Sequence, residues 1–140
     1  MPARHWLIKT EPGCYGWDNL VSDGETLWDG VRNHRAANNL RAMKKGDRAF
    51  FYHSGDEKAV VGIVEIVGEH RPDPSDKTGV FKVVDVKALA PIPSPVTLKA
   101  AKAERSLAKM VLLNNSRLSV QPVTDKEWAV VCKLGGMKSA

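Results

Sequence analysis

Trp6, Trp17 and Trp28 all precede residue 30, and Phe50-Phe51-Tyr52 follows soon after a basic stretch. Asn33, Asn38, Asn39 and Ser54 lie beside these rings in sequence, while Ser119 and Gln121 stand far downstream. Rings, amides and hydroxyls in this combination suit the capture of a planar heterocycle. An aromatic face for stacking contributes about 1–3 kcal/mol per base, and polar groups read the base edge. Arginines nearby would hold phosphates, which position a strand without reporting its sequence.

The charge distribution points the same way. The formal net charge is +5, and residues 30–50 hold Arg32, Arg35, Arg41, Lys44, Lys45 and Arg48 against the single acid Asp47. That stretch alone carries a surplus as large as the whole chain's. A focused patch of this kind attracts polyanions, although many basic clusters are only the solvated face of a helix.

Catalytic chemistry finds no support. His53 and Ser54 are neighbours, but adjacent strand residues point to opposite faces, so the imidazole does not serve the hydroxyl as a base. Nucleophile-elbow, P-loop and dinucleotide-binding glycine motifs are absent from the sequence. His5, His34, His53 and His70 lack metal-ligand spacing with one another or with Cys14 and Cys132, so neither metal nor cofactor is expected. The two cysteines are expected as reduced packing residues. No apolar run approaches the roughly 20 residues of a membrane span, and Met1–His5 does not resemble a signal peptide. These features lead us to expect a soluble, cytoplasmic, monomeric binding protein, formed by one domain over residues 1–140.

The elements that would position these groups follow from periodicity. Strands are predicted over 5–9, 49–53, 59–67, 80–89 and 117–121, with Pro91, Pro93 and Pro95 ending the fourth in an extended linker and Pro122 ending the fifth. A short helix is expected over 17–21. A second runs from Asn33, its candidate N-cap, to Met43, with Ala36, Ala37 and Leu40 on one face, Lys44 and Lys45 in its last turn and Gly46 as its end. Thr97 is a candidate cap for a third, and Thr124 with Glu127 forms a capping box for the last. Short strands interrupted by short helices define an α+β domain with a small, curved sheet or barrel. Trp6 is read as core, whereas Trp28 is read as part of a loop entering a helix and therefore as a candidate for binding. Asn33 remains open between N-cap and ligand.

Several blocks are recognisable as they stand: Trp6-Leu-Ile-Lys-Thr-Glu-Pro12, Trp28-Asp-Gly-Val-Arg-Asn33, Asn39-Leu-Arg-Ala-Met43, Phe51-Tyr-His-Ser54, Val61-Gly-Ile63 and Arg117-Leu-Ser-Val-Gln-Pro-Val123. In this order they resemble the signature of the EVE domain family. The resemblance implies a PUA-like fold, similar to PUA, ASCH and YTH domains, with a curved β-barrel and flanking short helices. It also implies a reader, not an enzyme, of DNA or RNA bearing a modified base, with 5-methylcytosine and 5-hydroxymethylcytosine as leading ligands. Carried onto this chain, the base pocket would gather Lys9, Thr10, Trp28, Asn33, Tyr52, His53, Ser54, Ser119 and Gln121. Trp28 would stack on the base, and Asn33, Ser54 and Gln121 would read its edge. Arg32, Arg35, Arg41 and Lys45 would hold phosphates. Gly13-Cys14 departs from the polar, often acidic residues of the family pattern. Two other readings remain open: a free-nucleotide or small-molecule binder, and an RNA-processing accessory domain that grips tRNA or rRNA by shape. The cytoplasmic location presupposes a bacterial-type protein; a eukaryotic one would be nuclear.

Overall fold

The computed structural model describes residues 4–11, 13, 15–29, 31, 33–55, 57–115 and 118–137. Six strands form one sheet: β1 His5–Thr10, β2 Glu25–Trp28, β3 Arg48–His53, β4 Ala59–Pro72, β5 Lys82–Thr97 and β6 Val120–Val123. Their order is β2-β5-β4-β3-β1-β6, antiparallel except for the parallel pair β1 and β3. Five short helices complete the mixed α+β architecture: α1 Trp17–Asp23, α2 His34–Ala42, α3 Leu98–Ala103, α4 Val111–Asn114 and α5 Asp125–Leu134.

The expected closed barrel is not formed. Repeated register shifts between β4 and β5 bend the sheet, but its edge strands β2 and β6 do not pair with each other. Helix α2 occupies the space between the two ends, packing against β6, β5 and β4. Its Asn39 Nδ2 donates to the Val120 carbonyl at 2.6 Å, so a side chain from the helix takes an acceptor of the β6 edge.

Strand alternation divides the core in two. Trp6, Ile8, Ala49, Phe51, Val64 and Val84 face one side, where α2 supplies Ala36, Ala37 and Leu40. Leu7, Phe50, Tyr52, Ile63 and Val123 face the other, where Leu107, Leu112, Trp128, Val131 and Cys132 cover them. The two faces are called the α2 face and the α5 face below. On the α5 face Phe50 and Trp128 stack with ring centroids 3.9 Å apart. On the α2 face Trp17 lies directly on Gly62, where an added Cβ would fall 2.4 Å from the indole.

Local signals placed the caps. Asn33 Oδ1 accepts from Ala36 N–H, Thr97 accepts from Ala100 N–H, and Thr124 with Glu127 forms the reciprocal box. Four expectations need correction. Glu25–Trp28 is a strand, paired with Val84–Lys87 of β5, so Trp28 ends an edge strand and not a loop. Helix α2 stops at Ala42, and Lys44 and Lys45 lie in the following turn instead of its last turn. That turn is held by the buried Asp47 carboxylate, which accepts N–H groups of Arg4, Lys44 and the Trp6 indole, each at 3.0 Å. Pro91, Pro93 and Pro95 lie inside β5: Pro93 and Pro95 fall where residues 92–95 swing out opposite Val61, outside the ladder with β4, and Pro91 is paired with Gly62 at the edge of that irregularity. Pro122 sits within β6, an edge strand with one free side.

Candidate nucleic-acid interface

The parallel strands β1 and β3 end level with each other, Thr10 opposite His53. Their following segments therefore leave the sheet together, and Ser54 N–H donates to the Thr10 carbonyl at 2.8 Å. This rim is the one place where many of the expected pocket residues meet.

On the α2 face of the rim the groups are held by mutual contacts. The buried His53 accepts from Trp17 N–H through Nε2 at 3.0 Å and donates from Nδ1 to Glu57 Oε1 at 2.6 Å. Both ring nitrogens are thus engaged, and the imidazole ties the start of α1 to the β3–β4 hairpin. Phe51 touches Trp17, Trp28 and His53 edge-to-face, with centroids 5.4, 5.6 and 5.7 Å away. Trp28 is only 8% exposed and belongs to the core on this face. Asn33 is exposed at the entry to α2, and its Oδ1 is committed to the cap, which leaves Nδ2 as its donor.

The α5 face takes the alternate residues. Lys9 Nζ stands 5.3 Å from the centroid of the Tyr52 ring. Burial lowers the Lys9 pKa and raises that of Tyr52, since both charged forms lose water there. Gln121 is fully buried, and its Nε2 donates to Leu118 O at 2.8 Å and to Asn115 O at 3.3 Å. It fastens the segment before β6 and has no surface from which to read a ligand in this state. Ser119 is half-buried, and its carbonyl accepts from Lys9 N–H at 2.9 Å.

The sheet thus splits the expected pocket: Trp28 and His53 lie on one face, Lys9, Tyr52 and Gln121 on the other, with Thr10 and Ser54 at the shared rim. Of the expected phosphate contacts, Arg35 is exposed on the first turn of α2, and Lys45 is exposed in the turn beyond it. Arg41 is occupied, donating to Asn38 Oδ1 and, at 2.6 Å, to the Val80 carbonyl. Arg32 lies outside the described residues, as do Cys14 and Arg117.

A lysine-lined cleft on the α5 face was not legible in the sequence. It encloses about 370 Å³ between Lys9, Ser54, Lys58, Lys102 and the leucines of α3 and α4. Its cations come from three separate parts of the chain, so no local charge run announces them. Among the described residues no three His, Cys, Asp or Glu side chains gather as a metal site, and no helix is long and apolar enough to cross a membrane.

Comparison with known proteins gives this arrangement a context. The family model described as the EVE domain matches residues 4–134. Thymocyte nuclear protein 1 of Homo sapiens is 34% identical, over 94% of this chain and 74% of that protein. A solved structure from Rhodopseudomonas palustris shares 51% identity with a TM-score of 0.93, covering 99% of this chain and 97% of its own. The human THYN1 protein, solved in complex with 5-methylcytosine containing DNA, shares 33% identity with a TM-score of 0.87, covering 98% of this chain and 100% of its own.

Proposed function

The chain belongs to the EVE domain family, and from that premise we propose that it binds DNA carrying a modified cytosine, 5-methylcytosine first, without catalysing a reaction. The observation that carries this reading is the likeness, over almost the full length of both chains, to the human THYN1 protein solved with such DNA. Supporting it are the exposed cations Arg35 and Lys45 beside α2 and the rim at Thr10 and Ser54, where polar groups border a rigid aromatic cluster. An extruded cytosine would enter at this rim, beside Thr10 and Ser54, with Trp28 forming the wall behind it. Asn33 Nδ2 and the hydroxyls of Thr10 and Ser54 suit the N3 and O2 acceptors of the base, and the aromatic wall suits its 5-methyl group. His53 acts as a positioning residue, because both of its nitrogens are engaged by protein.

Tryptophan fluorescence titration with matched oligonucleotides tests the proposal, using cytosine, 5-methylcytosine or 5-hydroxymethylcytosine, each as DNA and as RNA. Burying one methyl group contributes about 0.8 kcal/mol, so 5-methylcytosine DNA should bind roughly fourfold more tightly than its unmodified match. Equal affinity for methylated and unmethylated DNA would refute the proposal, and stronger binding of RNA would redirect it to that polymer.

A further inference from the structure

We infer that the lysine-lined cleft on the α5 face is a second contact site for the same strand, taking a backbone phosphodiester and its sugar next to the nucleotide read at the rim. This deepens the proposed function and rests on it. The cleft of about 370 Å³ continues into a neighbouring depression of about 400 Å³, the two sharing Lys58, Leu98 and Lys102, with Lys99 added in the second. Among the described residues lining the first there is no acid. The nearby Glu57, which borders the second, is already held by His53.

Three features point to a nucleotide as the occupant and not to a diffuse counterion. First, the walls are mixed: the Tyr52 ring, Leu112 and Leu113 offer apolar surface for a sugar or base face, and Lys9, Lys58 and Lys102 offer charge for a phosphate. Second, Lys9 is half-buried beside Tyr52, where desolvation lowers its pKa; an anion placed in the cleft favours its charged form. Third, Lys58 is the non-glycine residue at positive φ (47°) among the described residues. Its carbonyl accepts from Leu98 N–H at 2.8 Å, so the hairpin turn that carries this lysine is pinned to the start of α3. Strained backbone held in place by its surroundings marks a position that the fold over-determines.

The path between the sites is short. Ser54 lines the cleft and bonds through its N–H to Thr10 at the rim, so a strand crossing the β3–β4 hairpin passes from one site to the other. A base taken on one face and the adjoining phosphate on the other would clamp the strand across the edge of the sheet.

Salt dependence tests the inference. Binding of a cytosine and a 5-methylcytosine DNA oligonucleotide is measured across a salt series for the wild type, the double variant Lys58→Gln/Lys102→Gln and the control Lys126→Gln on α5. The substituted lysines are exposed, so the fold is retained. Losing the one phosphate contact in the cleft should lower the slope of log K against log salt by about 0.7–0.9 in the double variant. The control keeps the wild-type slope, and the ratio of methylated to unmethylated affinity is unchanged. An unaltered slope in the double variant overturns the cleft, whatever the ratio. Loss of methyl preference in the wild type overturns the base reading alone, since the slope is measured on unmodified DNA as well. Failure of the wild type to bind either DNA overturns both. Tight saturation by inorganic phosphate at constant ionic strength would reassign the cleft to a free anion and overturn it as a strand contact.

Discussion

Replacing Trp28 by alanine removes a ring that is 8% exposed, meets Phe51 edge-to-face at 5.6 Å and closes the core between β2 and α2. A buried tryptophan removes about 200 Å² from water, which at roughly 25 cal/mol per Å² amounts to about 5 kcal/mol. Partial collapse of the site brings the expected cost to about 3–5 kcal/mol. With a urea dependence of about 2 kcal/mol per molar, the unfolding midpoint should fall by roughly 1.5–2.5 M. Trp28→Phe keeps an edge contact with Phe51 and loses only about 40 Å² of ring, or about 1 kcal/mol. Urea titration of the wild type and both variants, followed by circular dichroism, gives the stabilities, and DNA titration of the folded proteins gives the affinities. If Trp28→Ala abolished binding while its midpoint moved by less than about 0.5 M, the ring would be an accessible stacking platform. The placement of Trp28 in the core wall would then be wrong.

Two further outcomes follow from buried polar groups. Asp47→Asn keeps one acceptor oxygen where the carboxylate serves three N–H donors; at about 1.5–3 kcal/mol per charge-assisted bond, it should lower Tm by roughly 5–15 °C in a calorimetric scan. Burial pushes the Cys132 thiol up from 9.0 to about 11. Its stabilising neutral form is therefore fully present below pH 9 and lost as pH rises toward 11, so wild type should lose more stability than Cys132→Ala across that window. An equal loss in both proteins, read by urea unfolding at each pH, would refute the assignment.

What the sequence disclosed is what short-range chemistry decides. The caps at Asn33, Thr97 and Thr124 are bonds between residues three apart, and each was visible as a pattern. The alternation of Phe50, Phe51 and Tyr52 likewise required that they divide between two faces. Strand β2 was missed because four residues with one pairing partner carry little propensity of their own; β5 decides their conformation. The prolines of β5 misled for the same reason, since a residue without an N–H ends a strand only where a neighbour needs that donor. The barrel failed to close on account of α2, and the hydrogen bond from Asn39 to Val120 spans a separation no local window covers.

The site shows the same division more sharply. Thr10, Asn33, His53 and Ser54 were legible as chemistry, but which of them share a face depends on strand parity, and parity around the rim is set by the joint ending of β1 and β3. Gln121 looked like a reader because an amide on a strand offers a donor and an acceptor. In the fold its amide is turned to holding Leu118 and Asn115, so its type was informative and its role was not. The basic stretch over residues 30–50 shows the converse. Its charge was conspicuous, yet Arg41 is spent on Val80 and Asn38, while Lys9, Lys58 and Lys102 converge without any local signal. Electrostatic attraction to a polyanion depends on where charges meet in space and how far they are desolvated, and only the folded sheet supplies both. In the proposed reading the sign of the patch brings the strand to the protein, and the edge of the sheet, with one functional group on each face, fixes where the strand lies.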